Sequence, residues 1–365
     1  MARREPPYDF VPLPSSKVSF PYPEILGHDS WKAEIRVLTG TMSLSAVVRT
    51  PVHVGSGLYE LSEEVGLRPG SVVRGIVRMR DKPIIPGSSL KGAVRAVYEA
   101  CTKSCLRLVG RSQREDYSTV WRKSKLPKSI VDEIVEITGQ DKGKIQVSLA
   151  EDALGDFKQC PEVKRPEDLK NLCPACALFG GMGYRGRVRF SDARVVRVVP
   201  KEEAKEVGSP YSPHLHRAGE KLKVVRGDDS PYVEVSKLRG RKFYRYGGWR
   251  GRGGEPIDYL PEGTMLKFRL DFEKLLPAEV GGLLLCMGMG SGPRLRIGGG
   301  KPFGLGEVEI DLESVELLSE DGTKRAEVKD LERWKREVME EFPKVSFFYK
   351  EGFDTLVALW NKRRS

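Results

Sequence analysis

The stretch IIPGSSLKGAVRAVYEACTKSCLRL (Ile84–Leu108) predicts a turn followed by a helix from about Ser89 to Leu108. A serine is well placed as the N-cap, because its side-chain oxygen can accept a hydrogen bond from a free amide of the first turn. Beyond it, Leu90, Val94 and Val97 recur at the spacing of one helical face. We therefore expect an amphipathic helix whose first turn can seat a phosphate.

Five further segments around this helix have the patterns of regular structure. Strands are predicted at Thr41–Thr50, Arg187–Val199, Met265–Phe272 and Gly304–Leu318, and a second helix near Ala278–Met287. The order along the chain is therefore strand, helix, strand, strand, helix, strand. This order predicts an α+β, ferredoxin-like (RRM-like) fold, in which an antiparallel sheet carries both helices on one face.

The chain is longer than this arrangement requires. We divide it into an extended proline-rich segment at 1–40, a main domain at 41–318 with insertions at about 110–172 and about 200–262, and a helical extension at 319–365. Proline lacks a backbone donor, so the first segment is predicted to lie extended across the body. Long ordered insertions are commonly functional, and the first one is a possible zinc-binding region.

Composition excludes several classes of protein. The 365 residues carry 62 Lys and Arg against 51 Asp and Glu, which gives a formal net charge of +11. Apolar residues make up 39% and can furnish a core, which excludes a chain disordered throughout. The longest apolar stretch is too short for a membrane span, and no export signal is evident, so we expect a cytoplasmic protein. The basic excess favours a polyanionic partner such as nucleic acid.

The predicted helix start has the chemistry of a phosphate site. Ser88 and Ser89 bring two hydroxyls and several free amides to this turn. Lys91 and Arg95 follow one helical turn apart and add positive charge. The spacing does not match the loop that binds nucleoside triphosphates, so a different phosphate compound is expected.

A second basic segment is GMGSGPRLRIGGGKPFGLG (Gly288–Gly306). Its glycines allow the backbone to approach another chain closely. Its cations are Arg294, Arg296 and Lys301. A dinucleotide-binding fingerprint is not present, because no Gly-x-Gly-x-x-Gly follows a strand and opens a helix.

The segment Arg239–Arg252 interleaves aromatic residues with arginines. Flat rings can stack on bases while guanidinium groups neutralise phosphates, so this pattern is typical of a surface for single-stranded nucleic acid. The competing interpretation is a charged strand whose aromatic residues belong to the core.

The cysteines predict a structural zinc site. Cys173 and Cys176 form a CxxC pair, which in an intracellular protein indicates zinc or redox chemistry, and no thioredoxin-like strand precedes it. Cys160 lies upstream and is a candidate third ligand. The candidates for the fourth ligand are Cys101, Cys105, His214 and His216.

Five motifs in this order resemble the RAMP superfamily of CRISPR-associated proteins. They are TPVHVGSG (Thr50–Gly57), IPGSSLKGAVR (Ile85–Arg95), CPACALFG (Cys173–Gly180), GRVRFSDA (Gly186–Ala193) and GGGKPFGLGEV (Gly298–Val308). The opening PPYDFVPLP and the later GRKFY are similar to a type III-associated branch of that superfamily.

The resemblance implies a ferredoxin-like body and a backbone-type place in a type III effector ribonucleoprotein, which acts in antiviral defence. The implied partners are guide RNA, the target RNA that pairs with it, and other effector subunits. The residues expected to contact RNA are Ser88, Ser89, Lys91, Arg95, Arg185, Arg187, Arg294, Arg296 and Lys301.

Cleavage of RNA and pure assembly remain as alternatives. RNA-cutting relatives carry an aspartate between the first strand and the serine turn, whereas Leu58–Lys82 has a basic middle in this chain. We therefore expect a binding subunit rather than an enzyme. An endoribonuclease could hold a divalent metal ion at Glu63 or Glu64 to cut target RNA, or use His53 to process guide RNA. A protein-only adaptor would instead bring the basic loops to acidic protein neighbours.

Overall fold

A computed structural model gives the fold of the chain. It describes residues 8–27, 35–106, 118–122, 126, 128–139, 143–149, 154–208, 222–226, 231–235, 238–245, 254–319, 322 and 324–361. Two of the predicted features lie outside the described residues: the candidate ligands His214 and His216, and positions 246–252 of the aromatic–arginine segment.

The described residues contain the following strands, in chain order. They are β1 (Tyr8–Val11), β2 (Leu38–Val48), β3 (Gly55–Leu61), β4 (Val72–Ile76), β5 (Arg78–Met79), β6 (Lys82–Ile85), β7 (Ser118–Arg122), β8 (Lys144–Leu149), β9 (Gly180–Gly181), β10 (Tyr184–Arg185), β11 (Val188–Phe190), β12 (Ala193–Arg197), β13 (Lys205–Val207), β14 (Leu222–Val225), β15 (Tyr232–Val235), β16 (Arg241–Tyr244), β17 (Glu255–Ile257), β18 (Met265–Leu275), β19 (Leu295–Arg296), β20 (Glu307–Leu318) and β21 (Arg325–Glu327).

The helices within the same described residues are α1 (Gly87–Ala100), α2 (Lys128–Thr138), α3 (Pro174–Phe179), α4 (Pro277–Cys286), α5 (Leu331–Glu341) and α6 (Lys350–Asn361). None of these helices is long and apolar enough to cross a membrane.

The main sheet has the strand order β19–β20–β2–β18–β12–β6–β5, with β11 also paired to β18 and β21 to β20. Its strands pair antiparallel throughout. The predicted α+β class with a large antiparallel sheet is therefore confirmed. All six elements of the predicted order are present, although Arg187–Val199 is divided into β11 and β12.

One face of this sheet forms the main core. Alternate residues of the long strands point to that face, among them Met42 and Leu44 of β2 and Leu266 of β18, and all three are buried. Val94 of α1 and Leu283 of α4 belong to the same apolar cluster. Both helices therefore pack on this face of the sheet.

Helix α1 ends at Ala100, eight residues earlier than predicted. The Thr102 hydroxyl donates to the carbonyl of Tyr98 at 2.7 Å, and the chain then turns. This turn brings Cys105 to within 3.7 Å of Cys176, measured between their Sγ atoms. The apolar periodicity of the sequence did not predict that the helix would end before Cys105.

Besides the main sheet, two of the smaller sheets have four strands each. The sheet with the order β13–β17–β4–β3 includes a hairpin at 55–76 that was not among the predicted strands. Strand β3 is almost wholly exposed and lacks apolar alternation, so its sequence has no strand pattern. The order β14–β15–β8–β7 unites strands from the two predicted insertions. Helix α2 packs on that sheet through a separate cluster that includes Ile134, Val147 and Val233.

Candidate nucleic-acid interface and metal centre

Four buried cysteines meet where the end of α1 approaches the start of α3. The ligand atoms of Cys105, Cys160, Cys173 and Cys176 all lie within 4.8 Å of one another. Four thiolates at about 2.3 Å from a zinc ion would lie about 3.8 Å apart, which agrees with the 3.7 Å between Cys105 and Cys176. The donor set and its spacing fit a structural zinc ion.

Hydrogen bonds within this cluster lower the pKa of Cys160 and Cys173 and raise the pKa of Cys105 and Cys176. The amide of Cys173 donates to Cys160 Sγ at 3.2 Å, and Arg95 Nη2 donates to Cys176 Sγ at 3.3 Å. Burial opposes ionisation of Cys173, but hydrogen bonds from the neighbouring cysteines outweigh it and hold its pKa well below the usual value. Donors aimed at sulfur are a common second layer around bound metal ions.

The structure selects Cys105 as the fourth cysteine of this cluster. Cys101, the other candidate on α1, contacts Cys286 of α4 instead. Both of those thiols are fully buried in the main core. Cys101 is therefore a core thiol, as its place on the apolar face of the helix allowed.

A cleft of about 520 Å³ brings together the three predicted nucleic-acid segments. The start of α1 forms one side, the glycine-rich loop a second, and strand β16 a third. Its lining comprises Ser89, Gly92, Ala93, Ala96, Val97, Glu99, Leu106, Gly240, Arg241, Lys242, Phe243, Tyr244, Arg296, Gly298, Lys301 and Trp360. Segments that are more than 200 residues apart in sequence thus share one concave surface.

Two cations of the glycine-rich loop are desolvated at this cleft. Arg296 is 6% exposed and donates to the carbonyls of Leu305 and Lys301 at 2.7 and 2.8 Å. Burial lowers its pKa to about 10. Burial, with repulsion from Arg296, lowers the pKa of Lys301 to about 8. Among the described residues no carboxylate pairs with Lys301, so an anion in the cleft would stabilise both charges.

The glycines of this loop allow a close approach within the protein itself. Gly298 has a φ of +80°, and a Cβ there would lie 2.2 Å from the carbonyl oxygen of His53. The amide of Gly299 donates to the same carbonyl at 2.8 Å. The loop is therefore fixed against the end of the first long strand, which places Lys301 at the cleft.

Two residues predicted to contact RNA lie inside the protein. Arg95 is 8% exposed and bonds Glu99 at 2.7 Å, and Arg187 is 3% exposed and bonds Glu279 at 3.0 Å. Their guanidinium groups are used within the fold, so the sequence-based assignment of both to phosphates is corrected. The carboxylate that neutralises Arg187 lies 92 positions away, which local spacing does not reveal.

Three further predicted contacts are placed outside the lining of the cleft. Lys91 Nζ donates to the carbonyl of Val188 at 3.0 Å. The side chains of Arg185 and Arg294 are 62% and 52% exposed, and each lies beside a glutamate. These three residues remain candidate surface contacts for a longer ligand.

The helix start differs from the prediction. Helix α1 begins at Gly87 with Pro86 at the N-cap position, so neither serine caps it. The Gly87 amide donates to the carboxylate of Asp192 at 2.8 Å, which satisfies the first free amide. Ser88 is exposed, whereas Ser89 lines the cleft. This turn therefore presents the hydroxyl of Ser89 to the cleft instead of a ring of free amides.

Strand β16 holds the GRKFY motif against the body of the protein. It pairs antiparallel with β1, and the Phe243 and Trp360 rings meet edge to face at 6.0 Å. Lys242 lies over the rings of Tyr8 and Tyr244, at 4.5 and 4.7 Å. The described aromatic rings of this motif therefore pack on the protein's own side chains.

The residues considered for cleavage are not among those that line the cleft. Glu63 and Glu64 are exposed in a short helical turn, and no group of three or more metal ligands within the described chain includes them. His53 is 5% exposed, and its Nδ1 donates to the carbonyl of Asp258 at 2.7 Å. Burial lowers the pKa of His53, which favours the neutral ring.

Sequence analysis missed a buried ionic cluster beside this histidine. Asp258 is fully buried and forms ion pairs with Arg78 and Lys201. These residues come from the hairpin region and from the second insertion, which sequence analysis had not connected. The pairing of β17 with both β4 and β13 brings these segments together.

Comparison with known proteins adds one family match. The family model described as "RAMP superfamily" matches residues 46–309. Among solved structures, a chain from a "Type IV-B CRISPR Complex" is 15% identical, over 74% of this chain and 90% of that chain, with a TM-score of 0.29. So low a TM-score supports no structural argument. No curated protein matches.

Proposed function

Because this chain belongs to the RAMP superfamily, we propose that it is an RNA-binding subunit of a type III CRISPR effector ribonucleoprotein. In this proposal it holds the phosphates of guide RNA at the cleft while the guide pairs with target RNA in antiviral defence. Its protein partners are other subunits of the effector, and its four-cysteine cluster holds structural zinc.

The pair of desolvated cations in the cleft carries the proposal. Arg296 and Lys301 lie close enough for repulsion to lower the pKa of Lys301. Burial lowers the pKa of Lys301 and no described carboxylate pairs with it, so a ligand that supplies negative charge is stabilised beside it. Ser89 on the facing helix adds a hydroxyl that can donate to a phosphate oxygen. A ribose-phosphate chain provides such charges at regular intervals.

We also propose that the core is ferredoxin-like. Within the main sheet the four long elements lie in the order β20, β2, β18, β12. Helix α1 follows β2 along the chain, and α4 follows β18. Two strand–helix–strand units that interdigitate in this order support the ferredoxin-like arrangement.

Binding of guide-length single-stranded RNA at several salt concentrations tests the function. A phosphate-binding cleft predicts that affinity falls steeply with salt, because each neutralised phosphate of a single strand contributes about −0.7 to the slope of log K against log salt. Lys301→Met should weaken RNA binding and reduce the magnitude of that slope by about 0.7, the contribution of one phosphate contact. Lys335→Met removes an equal charge from helix α5, at a position outside the cleft lining, and should leave both unchanged.

The same measurement separates the proposal from the adaptor alternative. If the protein binds RNA with little dependence on salt, phosphate contacts are few and the cleft does not bind RNA in this way. If Lys301→Met and Lys335→Met weaken RNA binding equally, the cleft is likewise rejected as the binding site.

A further inference from the structure

Arg241, the first residue of β16, joins the wall of the cleft to the cysteine cluster. Its Nη2 donates to the carbonyls of Ser104 and Cys105 at 3.0 and 2.8 Å. Its Nη1 donates to Glu99 Oε2 at 3.0 Å. The guanidinium group thus holds the main chain at one of the four clustered cysteines.

A second route connects the same arginine to another cysteine. Glu99 accepts from Arg241 with one carboxylate oxygen and from Arg95 Nε, at 2.7 Å, with the other. Arg95 in turn donates to Cys176 Sγ at 3.3 Å. Charged hydrogen bonds of this kind are among the stronger ones in proteins, so the connection is stiff.

The connected residues also shape the cleft. Glu99, Arg241 and Leu106, which directly follows Cys105, belong to its lining together with the rest of β16. Strand β1 pairs with β16 along its whole length, from Arg241 to Tyr244, and at the far end the Trp360 indole donates to the carbonyl of Tyr244 at 3.2 Å. Arg241 is therefore the described contact that ties the near end of this wall to α1 and to the cysteines.

We propose that metal binding at the four cysteines and RNA binding at the cleft are coupled through Arg241, which acts as a positioning residue. This inference rests on the proposed function. With a zinc ion bound, Cys105 is cross-linked to Cys160 and to the start of α3, so the carbonyls that Arg241 needs are fixed. Without it, those carbonyls gain freedom and the β16 wall loses its defined distance from the glycine-rich loop.

Thermodynamic linkage gives the direct test on the metal-loaded wild-type protein. If metal strengthens RNA binding by some factor, RNA must strengthen metal binding by the same factor. We expect guide-length RNA at saturation to reduce transfer of zinc to a competing chelator by about fivefold or more at equilibrium. An unchanged zinc affinity in the presence of bound RNA would overturn the coupling.

Variants of the connecting residues test the route. Arg241→Met removes no metal ligand, so it should retain zinc, bind RNA about fivefold or more weakly, and abolish the effect of RNA on zinc affinity. Arg241→Lys keeps a charged donor for the two carbonyls and should restore part of the coupling. Arg78→Met breaks a different ion pair, with Asp258, and should leave the coupling intact. If Arg241→Met retains the full coupling, the route is wrong.

Glu99→Gln separates coupling from simple electrostatics by the sign of its effect. Glu99 is a negative charge at the cleft, so electrostatics alone predicts that its neutralisation tightens RNA binding. The coupling predicts weaker binding, because Arg241 and Arg95 lose their shared carboxylate. Tighter binding would contradict the inference. Wild-type protein that holds zinc but fails to bind RNA would reject the proposed function itself, which keeps the two failures distinct.

Discussion

Two pairs of charged residues inside this protein illustrate opposite solutions to burial. Behind the sheet, Arg187 and Glu279 are 3% and 0% exposed and neutralise each other through two hydrogen bonds. At the cleft, Arg296 and Lys301 are of like charge, and burial lowers the pKa of both. The first pair is neutralised within the fold, whereas the proposed function assigns to the second a ligand that brings negative charge.

This difference shows why basic residues in a motif cannot be assigned to RNA by position alone. Arg187 and Arg296 are both among the residues expected to contact RNA, and both are buried. Arg187 donates to a carboxylate as well as to main-chain carbonyls, and Arg296 donates to the main-chain carbonyls of Leu305 and Lys301. A carboxylate cancels the charge of the guanidinium group, whereas a carbonyl only orients it.

The largest expected effect concerns the other charged centre, at the cysteines. Cys105→Ser removes one of four ligands, so metal content should fall from about one zinc ion per chain towards zero. Cys101→Ser is the matched control, since its thiol lies four residues away along the same segment but contacts Cys286. It should retain the full zinc content by elemental analysis. Loss of zinc in both variants, or in neither, would contradict the assignment of the ligands.

The next largest effect is expected on substitution in the ion pair of Arg187 and Glu279. Arg187→Met leaves Glu279 buried without its partner, so we expect the free energy of unfolding to fall by about 3–5 kcal/mol. Urea unfolding of the zinc-loaded protein measures it. The double variant Arg187→Met/Glu279→Met replaces both charges by apolar groups and should recover much of the loss. A single variant as stable as the wild type would show that the pair contributes little.

The sequence predicted the order of the main elements because apolar periodicity records which face of a strand or helix is buried. It also predicted Cys160, Cys173 and Cys176 as ligands and gave Cys105 as one of the candidates for the fourth. It failed where partners are distant in sequence: no local signal linked Arg187 to Glu279, or Asp258 to Arg78 and Lys201. The exposed strand β3 was missed for the complementary reason, since a strand with neither face buried has no apolar alternation.

A substitution in the pair of Arg296 and Lys301 should change the stability in the opposite direction to one in the pair of Arg187 and Glu279. Lys301→Met removes a desolvated charge that lacks a described carboxylate partner, so the RNA-free protein should become more resistant to urea. The same change should weaken binding of RNA about tenfold, since a hydrogen bond to a charged group contributes roughly 1.5–3 kcal/mol. A variant that is less stable and binds RNA normally would place Lys301 with the structural cations.

The smallest expected effect is a dependence of RNA affinity on pH, which follows from the lowered pKa of Lys301. The pKa of Lys301 is lowered from 10.5 to about 8, so below pH 8 the free protein carries the charge at the cost of burial. A bound phosphate favours the charged form and raises this pKa again. RNA affinity should therefore be constant below about pH 8 and fall as pH rises above it, by at most about tenfold at pH 9.

Oligoadenylate is the suitable probe, because its bases do not titrate in this range. Lys301→Arg keeps the positive charge at all these pH values and should bind with an affinity that is nearly independent of pH between 7 and 9. The stability of the RNA-free wild type should change in the opposite direction, since burial of an uncharged amine is less unfavourable: resistance to urea should rise as pH passes 8. If Lys301→Arg retains the full decline in RNA affinity, another group causes it, and the charge on Lys301 does not hold the phosphate.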